Sequence, residues 1–333
     1  MSEPAITGGR LRAYLQFLAA ILFFFLARSL AFHGAVGLVG ERWFPLAEQA
    51  MLVFLLILGY ASMGFWFDHE RQPISEQGLP NREGWLREMG MGVATGWGVA
   101  LVCVLPMALF GGIATYLSLR PRAWGWLLVD ILLFLLVALA EEIAYRGYAF
   151  QCFIRAVGPV GATLGFAFIY AIVQMITPGS SRASFAVSLA LGILLSTAYL
   201  RTRALWVSWG LNFGWKASRA LLFGLAVSGS NSHSPVVQGD PMSPLWLSGG
   251  TYGLDGSWFA LIVLVAALPV VYRLTHDLDF RYNAPVIVPG GIPVDIDAAA
   301  RKQHEAAMGP AAPDSPAGQT LVQIQTGNIE SRE

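Results

Sequence analysis

Apolar runs of about twenty residues, separated by short polar stretches, organise this chain from residue 14 to residue 275. They cover 14–36, 46–67, 90–115, 123–150, 160–178, 183–200, 204–226 and 257–275. At 1.5 Å of rise per residue, stretches of that size suit a hydrocarbon layer of about 30 Å. Lipid offers no partner to a backbone N–H or C=O, so such stretches must close their hydrogen bonds internally, as helices. The pattern predicts an all-α fold, a polytopic transmembrane helix bundle of about eight helices. Two stretches are atypical. The 160–178 run is broken toward its end by Thr177-Pro178-Gly179, and 183–200 is short, as a re-entrant or shallow element would be. The first stretch follows Arg10 and Arg12, has no small-residue cleavage pattern and exceeds a signal-peptide core, so it is read as a retained anchor.

Composition agrees with that picture and narrows it. Hydrophobic residues are 55% of the 333 and charged residues 13%, against about 25% charged in soluble domains. Mean hydropathy is +0.56 and the formal net charge is zero. No long Lys/Arg run is present, so nucleic acid is excluded as an expected partner and membrane lipids are expected. Cys103 and Cys152 lie inside apolar stretches and read as small hydrophobes rather than as a disulfide or metal ligands.

Arginine placement sets the expected orientation. With the N-terminus inside, inner segments collect Arg10, Arg12, Arg71, Arg82, Arg87, Arg155, Arg201, Arg203, Arg273 and Arg281, and the outer side Arg42, Arg120, Arg122 and Arg182. Both termini are thus expected inside, in a multi-pass protein of the cell membrane. The connection from Ser228 to Gly256 has no Lys or Arg and reads as an outer surface loop, with Trp246 and Tyr252 at the interface. Four regions follow. Residues 1–119 hold the N-terminal transmembrane helices, 120–226 a core rich in polar positions, 227–276 the outer loop and last transmembrane helix, and 277–333 a polar, largely disordered cytoplasmic tail.

Within the core, Glu141 and Glu142 stand side by side in an apolar run. A charge at bilayer depth costs about 2.5–3.5 kcal/mol on insertion scales, so such residues are candidates for function. Glu142 and Arg146 are four apart and share a helix face, whereas Glu141 is rotated about 100° away. One carboxylate can therefore be neutralised while the other stays available. The same residues could instead serve as a network locking helices together. Tyr170 and Gln174, and likewise Asn212 and Lys216, have the same four-residue spacing and are expected to face inward. Lys216 needs an acidic partner, for which Glu141, Glu142 and Asp130 are available.

The series Glu141-Glu142-x-x-x-Arg146, then Tyr170-x-x-x-Gln174, then Leu205-Trp206 leading to Asn212-x-x-x-Lys216 resembles the three motifs of the CPBP membrane proteins, also called the ABI family. That family includes type II CAAX prenyl proteases and bacteriocin self-immunity proteins. The resemblance covers roughly residues 120–226. It implies an intramembrane endopeptidase in which Glu141 activates a water, Glu142 and Arg146 support it, and positions 174, 212 and 216 complete the catalytic site. It also places Lys216 beside the paired glutamates.

The chain departs from the family's FxxxH and HxxxN patterns. Tyr170 stands for the Phe, Gln174 and Asn212 for the two histidines, and Lys216 for the Asn. Neutral amides neither shuttle a proton near pH 7 nor hold a transition metal as imidazole does, so no cofactor is expected and a divalent metal is disfavoured. Two function classes stay open. One is a CAAX-type endopeptidase using Glu141-activated water on a membrane-anchored or prenylated peptide, with Gln174 and Asn212 donating to the developing oxyanion. The other is a non-catalytic relative acting in membrane binding, as a chaperone or in immunity, with Lys216 paired to Glu141.

Overall fold

The computed structural model describes residues 3–110 and 112–278. In order along the chain come α1 (Glu3–Leu38), α2 (Phe44–Asp68), α3 (Pro73–Glu76), α4 (Trp85–Leu109), β1 (Ile113–Leu117), α5 (Pro121–Arg146), α6 (Tyr148–Met175), α7 (Arg182–Thr202), α8 (Leu205–Ala217), β2 (Val237–Pro241), α9 (Leu245–Ser248) and α10 (Trp258–Leu274). A π-helical turn, Ser218–Leu222, prolongs α8. A helix underlies every apolar stretch of the sequence, and the fold is an all-α bundle. Five segments, Gly9–Leu38, Phe44–Asp68, Trp85–Leu109, Pro121–Met175 (which holds α5 and α6) and Arg182–Thr202, are long and apolar enough to cross a membrane. Trp258–Leu274 is apolar but shorter. This is a helical membrane protein.

Local chemistry sets the helix ends. Pro121 opens α5, where its missing N–H is not needed, and Ser181 with Ser184 forms a reciprocal cap that starts α7. Gly158 takes a φ of 84° ahead of Pro159 and folds α6 back on itself. As a result Phe150 and Phe153 pack on Phe166, with ring centroids 5.3 and 5.8 Å apart.

Helix packing here depends on small residues, as expected where lipid is as apolar as leucine. On α1 the buried face is Ala13, Ala20, Ala27, Ala31 and Ala35, while Leu15, Leu18, Leu22 and Phe25 point outward. Between α4 and α8 the contact is closer still. Gly92 and Gly96 face Val207 and Leu211, and Gly210 and Gly214 face Met89 and Val93. At each of these four glycines an added Cβ would collide with a carbonyl oxygen of the opposite helix. Backbone therefore meets backbone, which fixes how α8 is rotated toward α5.

At one end of the bundle Asp68 accepts hydrogen bonds from Gln16 at 2.9 Å and from Arg155 at 3.0 and 2.9 Å, and Arg82 bonds Glu88 and the Thr202 carbonyl. The other end differs from the surface loop expected for Ser228–Gly256. There β2 pairs antiparallel with β1, from Ile113 opposite Pro241 to Leu117 opposite Val237, so residues 113–117 are strand and α4 stops at Leu109. Trp246 is exposed as expected, but Tyr252 is buried, and its hydroxyl donates to the Gln174 carbonyl at 3.2 Å. Polar groups of the connection find their partners inside the bundle, which is why it docks. Of the tail, residues 279–333 lie outside the described residues.

Candidate functional site

The carboxylate pair sits between five and four residues before the end of α5. Arg146 reaches back to Glu142 Oε1 at 3.4 Å and donates to the Gly192 carbonyl at 3.0 Å and to Ser196 Oγ at 3.4 Å. One guanidinium therefore joins α5 to α7 while neutralising Glu142. Both side chains are almost wholly buried. Glu141 differs, keeping 20% of its side chain exposed. Its Oε1 lies 2.5 Å from Lys216 Nζ, and its Oε2 accepts from Asn212 Nδ2 at 2.9 Å. The same Asn212 nitrogen donates to Glu142 Oε1 at 3.1 Å, so α8 holds both carboxylates at once.

Five of the six sequence-derived candidates, Glu141, Glu142, Arg146, Asn212 and Lys216, therefore form one cluster. Gln174 stands apart. Among the described residues it makes no hydrogen bond to either carboxylate; its side chain meets the Tyr170 hydroxyl, which lies against Tyr145 with ring centroids 5.1 Å apart. Asp130 also leaves the set of partners open to Lys216. It accepts from the Ser234 N–H at 2.6 Å and lies 3.1 Å from His233 Nδ1, anchoring the Ser228–Gly256 connection instead.

A third ion pair lies beyond the residues singled out in the sequence. Arg219, in the π-helical turn, places Nη1 2.8 Å from Asp255 Oδ1 and lies over the Trp215 ring, 4.0 Å from its centroid. Trp215 Nε1 donates to the same Asp255 oxygen at 3.3 Å, and the Ser228 N–H and hydroxyl both donate to Oδ2 at 3.0 Å. Burial by itself would push the Asp255 carboxyl up, but the Arg219 guanidinium and Lys216 ammonium outweigh it and hold the group below the usual aspartate value. No local pattern links Arg219 to a residue 36 positions later; the only sequence signal was an arginine one turn past Lys216.

Chemically, the cluster is three carboxylates matched by three cations. Each Glu141 oxygen already accepts one hydrogen bond, so a water bound there would use a remaining lone pair of a carboxylate that is paired with Lys216 and bonded by Asn212. Glu142 Oε2 and Asn212 Oδ1 are buried without a hydrogen-bond partner among the described residues. The donor set does not suit a divalent cation, because an ammonium occupies Glu141 and Asn212 turns its NH₂ group toward both acids.

Residues 123–218, which run from the first turn of α5 to the start of the π-helical turn, match the family described as "Type II CAAX prenyl endopeptidase Rce1-like". This core is of the CPBP/CAAX-protease family. No curated protein and no solved structure matches the chain. The CPBP core thus comprises α5 to α8, the helices that carry the carboxylate pair, its arginine, Gly192 and Ser196 of α7, and the Asn212 and Lys216 of α8. Arg219 and Asp255 lie just outside the matched segment.

Proposed function

We propose that this is a multi-pass protein of the cell membrane that uses its CAAX-protease-like core to hold a membrane-anchored or prenylated peptide without hydrolysing it by the family's glutamate–histidine route. The observation that carries this reading is the 2.5 Å contact between Lys216 Nζ and Glu141 Oε1, together with Asn212 on the other Glu141 oxygen. A general base needs its negative charge available for a proton from water, and here that charge is paired with an ammonium on one oxygen and bonded by an amide on the other. Gln174, at the position of a family histidine, has its side chain on the Tyr170 hydroxyl, and a neutral amide cannot shuttle a proton there as an imidazole would. The start of α1 lies on the inner side in this reading, an orientation supported by Arg12, Arg82 and Arg155 gathering at that end of the bundle.

A second reading, hydrolysis assisted by the two amides, is favoured by one observation, the fifth of the Glu141 side chain that the bundle leaves exposed. Cleavage of a membrane-anchored peptide, with and without a prenyl group, separates the two. The parent is expected to be inactive. Gln174→His, Asn212→His and Lys216→Asn together, which restore the family pattern, are expected to create activity that a further Glu141→Ala removes. Cleavage by the parent that Glu141→Ala abolishes would overturn the proposal in favour of the second reading.

A further inference from the structure

Lys216 and Arg219 are three residues apart, both are buried, and both lie close enough to Asp255 to act on its charge. Two cations this close need two anions. Glu141 takes Lys216 from the α5 side, and Asp255 takes Arg219 from the Ser228–Gly256 connection. Asp255 is itself held by Trp215, next to Lys216 in the chain, and by two donors of Ser228, so its position does not depend on Arg219 alone. Arg219 depends heavily on Asp255. Its Nε bonds the Trp215 carbonyl at 2.9 Å, but neither Nη1 nor Nη2 has a well-aligned hydrogen-bond partner among the described residues, so the 2.8 Å ion pair with Asp255 is what balances its charge.

We propose that Asp255 is a positioning residue for Lys216: by pairing with Arg219 it leaves Glu141 to the lysine, and so directs the ammonium onto the exposed carboxylate. Without Asp255, two buried cations would share one anion. Arg219, which cannot shed its charge, would compete for Glu141 and displace Lys216 or leave it neutral. The connection outside the family-matched core would in this way set the state of the carboxylate inside it. The inference rests on charge balance and does not depend on whether a peptide bond is cut.

The sequence contains two lysines, Lys216 and Lys302, which makes the test direct. The full-length, detergent-solubilised protein is labelled with acetic anhydride, and acetylation of Lys216 relative to Lys302 is read by mass spectrometry. In the parent Lys216 is buried and in contact with Glu141, and its labelling ratio is the reference. Asp255→Asn is expected to raise the ratio about tenfold, the change that follows when one adjacent opposite charge is removed. Asp255→Glu is expected to restore the parent's ratio. Arg219→Gln alone leaves two anions for one lysine and is expected to label less than the parent. Arg219→Gln with Asp255→Asn returns one cation to one anion and is expected to match the parent, a compensation that lost packing would not produce. An Asp255→Asn ratio equal to the parent's, or a double variant labelled like Asp255→Asn, overturns the proposal. If Asp255→Asn does not fold, a double variant that labels no more than Arg219→Gln overturns it.

Discussion

Lys216 Nζ on α8 lies 2.5 Å from Glu141 Oε1 on α5, an ion pair formed across 75 residues of sequence. It is one of three ion pairs that balance the charges around α8, and its Glu141 is the most exposed of their three carboxylates.

Lys216→Met should therefore destabilise the protein, by about 1.5–3 kcal/mol for the charged hydrogen bond lost, because Glu141 is left partly buried without its cation. Glu141→Gln combined with Lys216→Met should recover most of that loss, since the second change removes the orphaned charge. Thermal unfolding of the purified variants in detergent checks this, and equal, additive losses would contradict it.

Arg146→Ala removes the bonds to Glu142, the Gly192 carbonyl and Ser196 in one step. Breaking a buried pair from one side costs about 3–5 kcal/mol, so a sharp fall in folded yield and unfolding temperature is expected. Arg146→Lys keeps the charge but loses the planar fork that serves two helices, and should fall between. An Arg146→Ala protein as stable as the parent would show that the α5–α7 link is dispensable.

Gly96→Ala should cost about 1–3 kcal/mol, because its Cβ would meet the Leu211 carbonyl and the Trp215 N–H and push α8 off α4. Gly98, two residues on, faces open space, and Gly98→Ala should be neutral or stabilise by about 0.5–1 kcal/mol through helix propensity. The pair of substitutions, compared by thermal unfolding, separates interhelical contact from helix propensity. Equal effects would remove the close-packing argument.

The sequence alone determined what one-dimensional rules govern. Apolar length against bilayer thickness located a helix under each stretch, and four-residue spacing put Glu142 beside Arg146, because both depend only on residues near in sequence. The expense of an ammonium in lipid likewise required an acidic partner for Lys216. It could not say which acid. Asp130, Glu142 and Glu141 were all available, and the choice followed from the rotation of α8 against α5, set by the collisions that Gly92, Gly96, Gly210 and Gly214 avoid.

Tertiary structure also decided where Gln174 and Asp255 belong. Spacing put Gln174 on one face with Tyr170, and those side chains do meet, but it could not show that the Gln174 carbonyl takes the Tyr252 hydroxyl or that the side chain makes no hydrogen bond to either glutamate among the described residues. Ser228–Gly256, lacking Lys and Arg, had the composition of a surface loop, yet its Asp255 is buried against Arg219 and Trp215. Composition reports what a segment can afford to expose. Whether it docks depends on which buried donors and charges the rest of the chain leaves for it, and those are assembled only when distant helices meet.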